Sequence, residues 1–255
     1  MDKKPLPQRA PEIRARPFNR RTDQPSQLEN LLSPAEQDQL SGIATVLDFR
    51  RGGITIFSEG EDAHFIYAVD TGVVRIGRHA VNGHRQILAF MVPGDLFGLP
   101  DDGIYVNTAE TVCPSRLYRV PWDKLCTIML RQPQLQLHML VRVAHDLRQA
   151  QRQLMILGQQ NTRQRLASLL IDMLGHPEFF DSKKKRLKLP INRFDLADYL
   201  GTARETAVRA LATLEREGLI RRVNSEMIEI RDISGLHAIQ RGRRRGKGSR
   251  LSSRA

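Results

Sequence analysis

Arg204, Glu205 and Arg209 share one side of the stretch TARETAVRALATLERE, which runs from Thr202 to Glu217. A guanidinium can donate two parallel hydrogen bonds to O6 and N7 of guanine, and a carboxylate can accept one from the cytosine amine. Arg204 and Arg209 lie slightly more than one helical turn apart, so both reach into one major groove. Thr202, Thr206 and Val208 complete the candidate DNA-contacting set. Ala207, Ala210, Leu211 and Leu214 recur at helical spacing on the opposite side and supply a face to bury. Two rival uses stay open. Thr202-Ala203-Arg204-Glu205 has the form of a capping box, in which Glu205 folds back on the helix start. The arginines could also grip phosphates rather than bases.

Such readers must be presented by a rigid frame, and the flanking sequence offers one. Arg193 to Leu200 reads as a short helix with Leu196, Ala197 and Leu200 on one face, and Gly201 can take the left-handed conformation of a tight turn. The two helices then make a helix-turn-helix, with the second starting at Thr202. Leu219 to Val223 and Met227 to Ile230 read as strands joined by a turn at Asn224 and Ser225, which extends the pattern to a winged helix. An ordinary helical hairpin packed in a core would show much of the same pattern. A further helix over Asn161 to Leu174 precedes the motif, and the run Lys183 to Lys188 reads as a loop.

This stretch resembles the DNA-binding domain of the CRP/FNR family of bacterial transcription regulators. The likeness rests on Ala197, Leu200, Gly201, Arg204-Glu205-Thr206 with Arg209, Leu214-Glu215 and Gly218-Leu219-Ile220. Upstream, Phe57-Ser58-Glu59-Gly60, Tyr67, Gly72, Gly83, Gly94-Asp95 and Phe97-Gly98 are similar to the glycine-punctuated effector domain of that family. Together these cover roughly residues 40 to 232. The resemblance implies a double-stranded β-roll followed by a dimerisation helix and a winged helix-turn-helix, an α+β chain. It also implies RNA polymerase as a partner, and Arg204-Glu205 with Arg209 match the branch that reads TGTGA-like half-sites. The branch reading TTGAT carries an apolar residue at 204 and a serine at 208; here they are Arg204 and Val208.

Residues 43 to 120 independently read as short strands, among them Ile54–Phe57, Phe65–Val69, Gly72–Ile76 and Gln86–Met91, with glycines at 60, 72, 83, 94 and 98 supplying turns. Strands so short and regularly spaced suggest a sandwich or jelly roll. From Leu137 the positions Leu137, Leu140, Ala144, Leu147, Gln151 and Leu154 step by threes and fours, the seam of a coiled coil. Arg142, Arg148 and Arg152 are expected on its flanks. Pairing with an identical helix would remove that stripe from water, so a homodimer is expected; packing on the chain's own β-domain is the alternative.

The expected divisions are a tail over 1–28, a β-roll over 29–132, a dimerisation helix over 133–158, a winged helix-turn-helix over 159–235 and a tail over 236–255. Both tails are basic and expected to be disordered. Residues 1–28 carry seven basic and three acidic residues, and 241–255 carry seven basic and none acidic. Between them, 29–132 has a net charge of −4 and 133–240 of +5, within a chain total of +12. The basic half is thus the one expected to meet double-stranded DNA. At 255 residues the chain can bury ample core, and it has no apolar run of membrane-spanning length and no secretory signal. Two cysteines, Cys113 and Cys126, fit a reducing cytoplasm. No P-loop, G-x-S-x-G, H-E-x-x-H or paired C-x-x-C occurs, so no enzyme is expected.

Cofactor expectations follow from what the resemblance would require. Cyclic-nucleotide members place a glutamate after the Gly-Asp-x-x-Gly turn, where this chain has Leu99. From Gln86 to Ser115 there is no Lys or Arg, so a buried phosphate would lack a cation from this stretch. Cyclic AMP is therefore not expected. An iron–sulfur cluster needs four thiolates and is not expected either. Haem, held by one of His64, His79, His84, His138 or His145, stays open as a gas-sensing alternative, and a non-specific architectural DNA binder is another. A FixK-like member, acting without a small effector, fits these absences.

Overall fold

The computed structural model describes residues 32–79 and 85–242. The tail over 1–28, nearly all of the basic segment over 241–255 and the segment 80–84, with Gly83 and His84, lie outside the described residues. The chain forms two compact units, Met1–Ala150 and Gln151–Ala255.

The first unit opens with α1 (Pro34–Ile43), whose start is closed by a capping box between Ser33 and Glu36. Eight strands follow: β1 (Thr45–Phe49), β2 (Thr55–Phe57), β3 (Phe65–Thr71), β4 (Val74–His79), β5 (Arg85–Met91), β6 (Leu96–Phe97), β7 (Thr108–Thr111) and β8 (Ser115–Pro121). They form two antiparallel four-stranded sheets in the orders β1-β8-β3-β6 and β2-β7-β4-β5. Successive strands through β4 thus alternate between sheets, the topology of a jelly roll, as the spacing of the turns suggested.

Side-chain alternation assigns each face. On β3, Tyr67 and Val69 point between the sheets with Phe57, Val74, Ile76, Phe97, Tyr105 and Leu117. Ile66 and Ala68 point the other way, onto Leu40, Leu125, Leu135 and Met139. These come from α1, from α2 (Trp122–Arg131) and from α3 (Pro133–Gln159). β3 is thus covered on both faces, which explains why Phe65–Val69 reads as an unbroken apolar run. Gly98 has φ +79, and a Cβ there would stand 3.0 Å from the Tyr67 ring and 3.1 Å from that of Phe57.

The second unit begins within α3 and continues with α4 (Thr162–Leu174), β9 (Phe180–Asp181), β10 (Arg186–Lys188), α5 (Arg193–Leu200), α6 (Arg204–Arg216), β11 (Ile220–Arg222), β12 (Met227–Ile230) and α7 (Ile233–Gln240). Its sheet has the order β11-β12-β10-β9. Two expectations are corrected here. The end of the Lys183–Lys188 run is not loop: Leu187 is fully buried between exposed Arg186 and Lys188, and this strand pairs with β12. Nor is 236–240 tail. It completes α7, which buries Leu236 and Ile239 and packs against α4.

A candidate nucleic-acid interface

Local chemistry sets the frame for α5 and α6. The Asn192 side chain accepts from the backbone N–H of Phe194 and of Asp195, both at 2.9 Å, and donates to the Asp195 carboxylate at 2.8 Å. This closes the start of α5. Its far end stops at Gly201, which adopts φ 60, ψ 47, as the turn requires. The N–H of Thr202 donates back to the Ala197 carbonyl at 3.1 Å.

That bond corrects the expectation for Thr202. Being committed to the end of α5, Thr202 does not begin the next helix. The cap is Ala203, which offers no side-chain hydrogen bond, and α6 starts at Arg204. Glu205 therefore closes no capping box. Its carboxylate is largely exposed and lies 3.9 Å from Arg204 Nε.

α6 buries Ala207, Ala210, Leu211 and Leu214. It leaves Arg204, Glu205, Val208 and Arg209 exposed and Thr206 half-buried. All six predicted DNA-contacting residues thus lie in the turn or the first two turns of one helix. Arg209 donates to Thr206 Oγ1 at 3.0 Å, while the Arg204 guanidinium carbon lies 4.8 Å from the centroid of the Phe194 ring.

Three supporting residues escaped the sequence reading. Arg165 donates to the carbonyls of Gln160 at 2.8 Å, Leu157 at 2.7 Å and Leu200 at 2.6 Å. One cation thereby satisfies carbonyls at the ends of α3 and α5, where a helix concentrates negative partial charge. Glu215, near the end of α6, accepts from Arg222 N at 2.9 Å and Arg222 Nε at 2.7 Å, which fastens β11 to the helix. These bonds from Arg222 hold its carboxyl below the usual glutamate value. Phe194 is the third, an aromatic residue 61% exposed. Each contact joins residues on different elements or across a turn, so no spacing rule reveals it. The wing forms as the sequence indicated, its turn closed by Asn224 Oδ1 accepting from Glu226 N and Met227 N.

The coiled-coil seam is exposed along its length: Leu137, Leu140, Ala144, Leu147, Gln151 and Leu154 are all open, Leu140 to 64% and Leu154 to 70%. The opposite side of α3 serves the chain's own β-roll through Leu135 and Met139. Arg142 belongs to that inner side and not to the flank. It is buried and pairs with Asp95 at 3.4 Å and Asp146 at 3.2 Å.

Inside the β-roll, aromatic rings occupy the space between the sheets. Phe57 stacks on Tyr105 at 3.8 Å, Tyr67 on Phe97 at 5.4 Å, and Phe57 and Tyr67 lie 5.4 Å apart. The Tyr105 hydroxyl accepts from Phe65 N and donates to Phe65 O. Leu99, which stands where the resemblance would place a glutamate, packs against the helix-side core. Two of the four carboxylates of the cation-free stretch pair with cations from elsewhere: Glu110 with Arg75 and Arg85, and Asp95 with Arg142. Of the histidines considered for haem, His138 bonds to Glu36 at 3.1 Å and His64 and His79 are exposed. Among the described residues no group of three or more His, Cys, Asp or Glu is placed to hold a metal. No described helix is long and apolar enough to cross a membrane.

Comparison with known proteins agrees with both halves of this picture. Residues 48–132 match the cyclic nucleotide-binding domain family, and residues 164–239 match the Crp-like helix-turn-helix domain. The chain is 34% identical over 185 residues to the nitrogen fixation regulation protein FixK of Azorhizobium caulinodans, covering 72% of this chain and 75% of the relative. It is 30% identical over 194 residues to the transcriptional activatory protein AadR of Rhodopseudomonas palustris, covering 74% and 79%. The solved structure of FixK2 from Bradyrhizobium japonicum superimposes with a TM-score of 0.72 at 30% identity, over 77% of this chain and 97% of that one. These relatives are regulators and not enzymes.

Proposed function

We propose that this chain, which belongs to the CRP/FNR family of DNA-binding transcription regulators, acts as a homodimer on a two-fold symmetric site with TGTGA-like half-sites. The observation that carries the reading is the pairing of an exposed Arg204-Glu205 and Arg209 face on α6 with an exposed leucine seam on α3. The seam spans about 25 Å of helix from Leu137 to Leu154. Burying it between two copies removes apolar surface worth roughly 25 cal/mol per Å². Helix-turn-helix dimers, this family included, set their recognition helices roughly 34 Å apart, one turn of DNA.

Within each half-site, Arg204 and Arg209 take guanines, Glu205 takes the cytosine opposite, and Thr202, Thr206 and Val208 line the groove around them. Losing the capping-box role leaves the Glu205 carboxylate available for that contact. The β-roll works without a small effector, since Phe57, Tyr67, Phe97 and Tyr105 take up its interior. The dimer acts in the cytoplasm, beside RNA polymerase at promoters.

Selection from random DNA with the full-length protein tests the reading, followed by footprinting on the winner. A palindrome of TGTGA-like arms and a discrete protected site are expected. An asymmetric or TTGAT-type consensus would overturn the proposed specificity, and even coating without a preferred site would make the protein an architectural binder. An absorption spectrum of freshly purified protein checks the effector statement; a Soret band would contradict it.

A further inference from the structure

We infer that Phe194 is a positioning residue for base readout, its ring holding the Arg204 guanidinium ready for guanine before DNA arrives. The inference rests on the reading of Arg204 as a base reader. Phe194 is the odd residue of its helix. Leu196, Ala197 and Leu200 are buried, whereas Phe194 as a residue is 61% exposed and contributes little to the core. Its root is nevertheless fixed, because its own N–H is held by the Asn192 side chain at 2.9 Å. The rigid ring faces the first residue of the recognition helix, with the Arg204 guanidinium carbon 4.8 Å from its centroid. That is well inside the range of a cation–π contact.

This arrangement suits readout for two reasons. Contact through the π-face uses none of the N–H groups of the guanidinium, so its donor fork stays available for O6 and N7. Among the described residues its one ionic neighbour is Glu205 at 3.9 Å, too long for a hydrogen bond. A competing carboxylate therefore does not tie the fork down. Restricting the long side chain in advance also reduces the ordering left to do on binding. Arg209 is held differently, by spending a donor on Thr206.

The experiment compares Phe194→Leu, Phe194→Tyr and Phe194→Trp with the intact protein, each also combined with Arg204→Ala. Affinity is measured on the selected duplex and on one carrying 7-deazaguanine at the guanine whose preference Arg204→Ala abolishes. Leucine keeps an apolar side chain without the π-face. Phe194→Leu is expected to lose roughly 3- to 30-fold on the selected duplex, the range of cation–π contacts from exposed to desolvated. Tyr and Trp should restore binding to near the parent value. The loss should vanish in the Arg204→Ala background and be smaller on the deazaguanine duplex, which lacks N7 and keeps O6. Because the ring is exposed, thermal unfolding should coincide for all variants. Parent-like affinity of Phe194→Leu, or a loss that persists without Arg204, overturns the inference and leaves Arg204 as a reader. If Arg204→Ala keeps the parent guanine preference on every duplex, the base-reading role itself falls, and this inference with it.

Discussion

Arg204 and Arg209 carry the same charge on the exposed side of α6 but are held in different ways, one by an aromatic ring and the other by a threonine hydroxyl. Their substitution should therefore have separable effects. Arg204→Ala and Arg209→Ala are each expected to cost on the order of 1–3 kcal/mol and to relax preference at one base pair per half-site. Repeating the selection with each variant checks this; a uniform loss with an unchanged consensus would assign that arginine to phosphate. The exposure of these two arginines on α6 was legible because helical phase suffices to separate them from the buried Ala207, Ala210, Leu211 and Leu214. The start of the helix was read as Thr202 and lies at Arg204 for a local reason: the Thr202 N–H donates to the Ala197 carbonyl across the turn. Phe194 was not legible at all, since its partner stands on the next helix.

At the scale of elements, periodicity revealed α5 and α6 and the long apolar seam of α3. Short elements whose burial depends on one residue did not show. β10 contains a single buried side chain, Leu187, between two cations, which no alternation rule can separate from a lysine-rich loop. α7 was hidden because it is only eight residues long, carries Gly235 within it and runs directly into the basic segment. Arg142 carried a charge and was assigned to the surface, but two carboxylates let it be buried. The clamp between Glu215 and Arg222 supplies a test of how the wing is held. The carboxyl is held below its ordinary value of 4.5, so its contribution is complete above that value and is lost as pH falls through the lower folded one. Once the intrinsic pH dependence of exchange is divided out, amide exchange in β11 should accelerate across that acid range in the parent protein. In Glu215→Gln it should be faster at neutral pH already and should lack that acid step; matching profiles would show the clamp to be idle.

For the molecule as a whole, charge and packing assign different tasks to different parts. The segments outside 29–240 hold fourteen basic residues, while the body between them is nearly balanced at 26 basic against 25 acidic. Removing 241–255 should weaken binding to specific and scrambled duplexes alike and flatten the plot of log affinity against log salt, with the consensus unchanged. Equal slopes for intact and truncated protein would remove the tail from DNA binding. Calorimetry with millimolar cyclic AMP should register no heat, because rings fill the roll and Leu99 replaces the expected glutamate; saturable binding would contradict it. As the dimer interface proposed above, the exposed seam on α3 makes occupancy a matter of protein concentration. A binding unit assembled from two chains obeys mass action. Below the dimer dissociation constant, operator occupancy rises with the square of protein concentration, so halving synthesis cuts occupancy about fourfold. A titration of occupancy against total protein should then show a Hill slope approaching two, and a charge placed in the seam by Leu147→Glu should shift that curve to higher concentration. Gene dosage and proteolysis would thereby throw the switch that a ligand throws elsewhere, with sharpness supplied by the second chain.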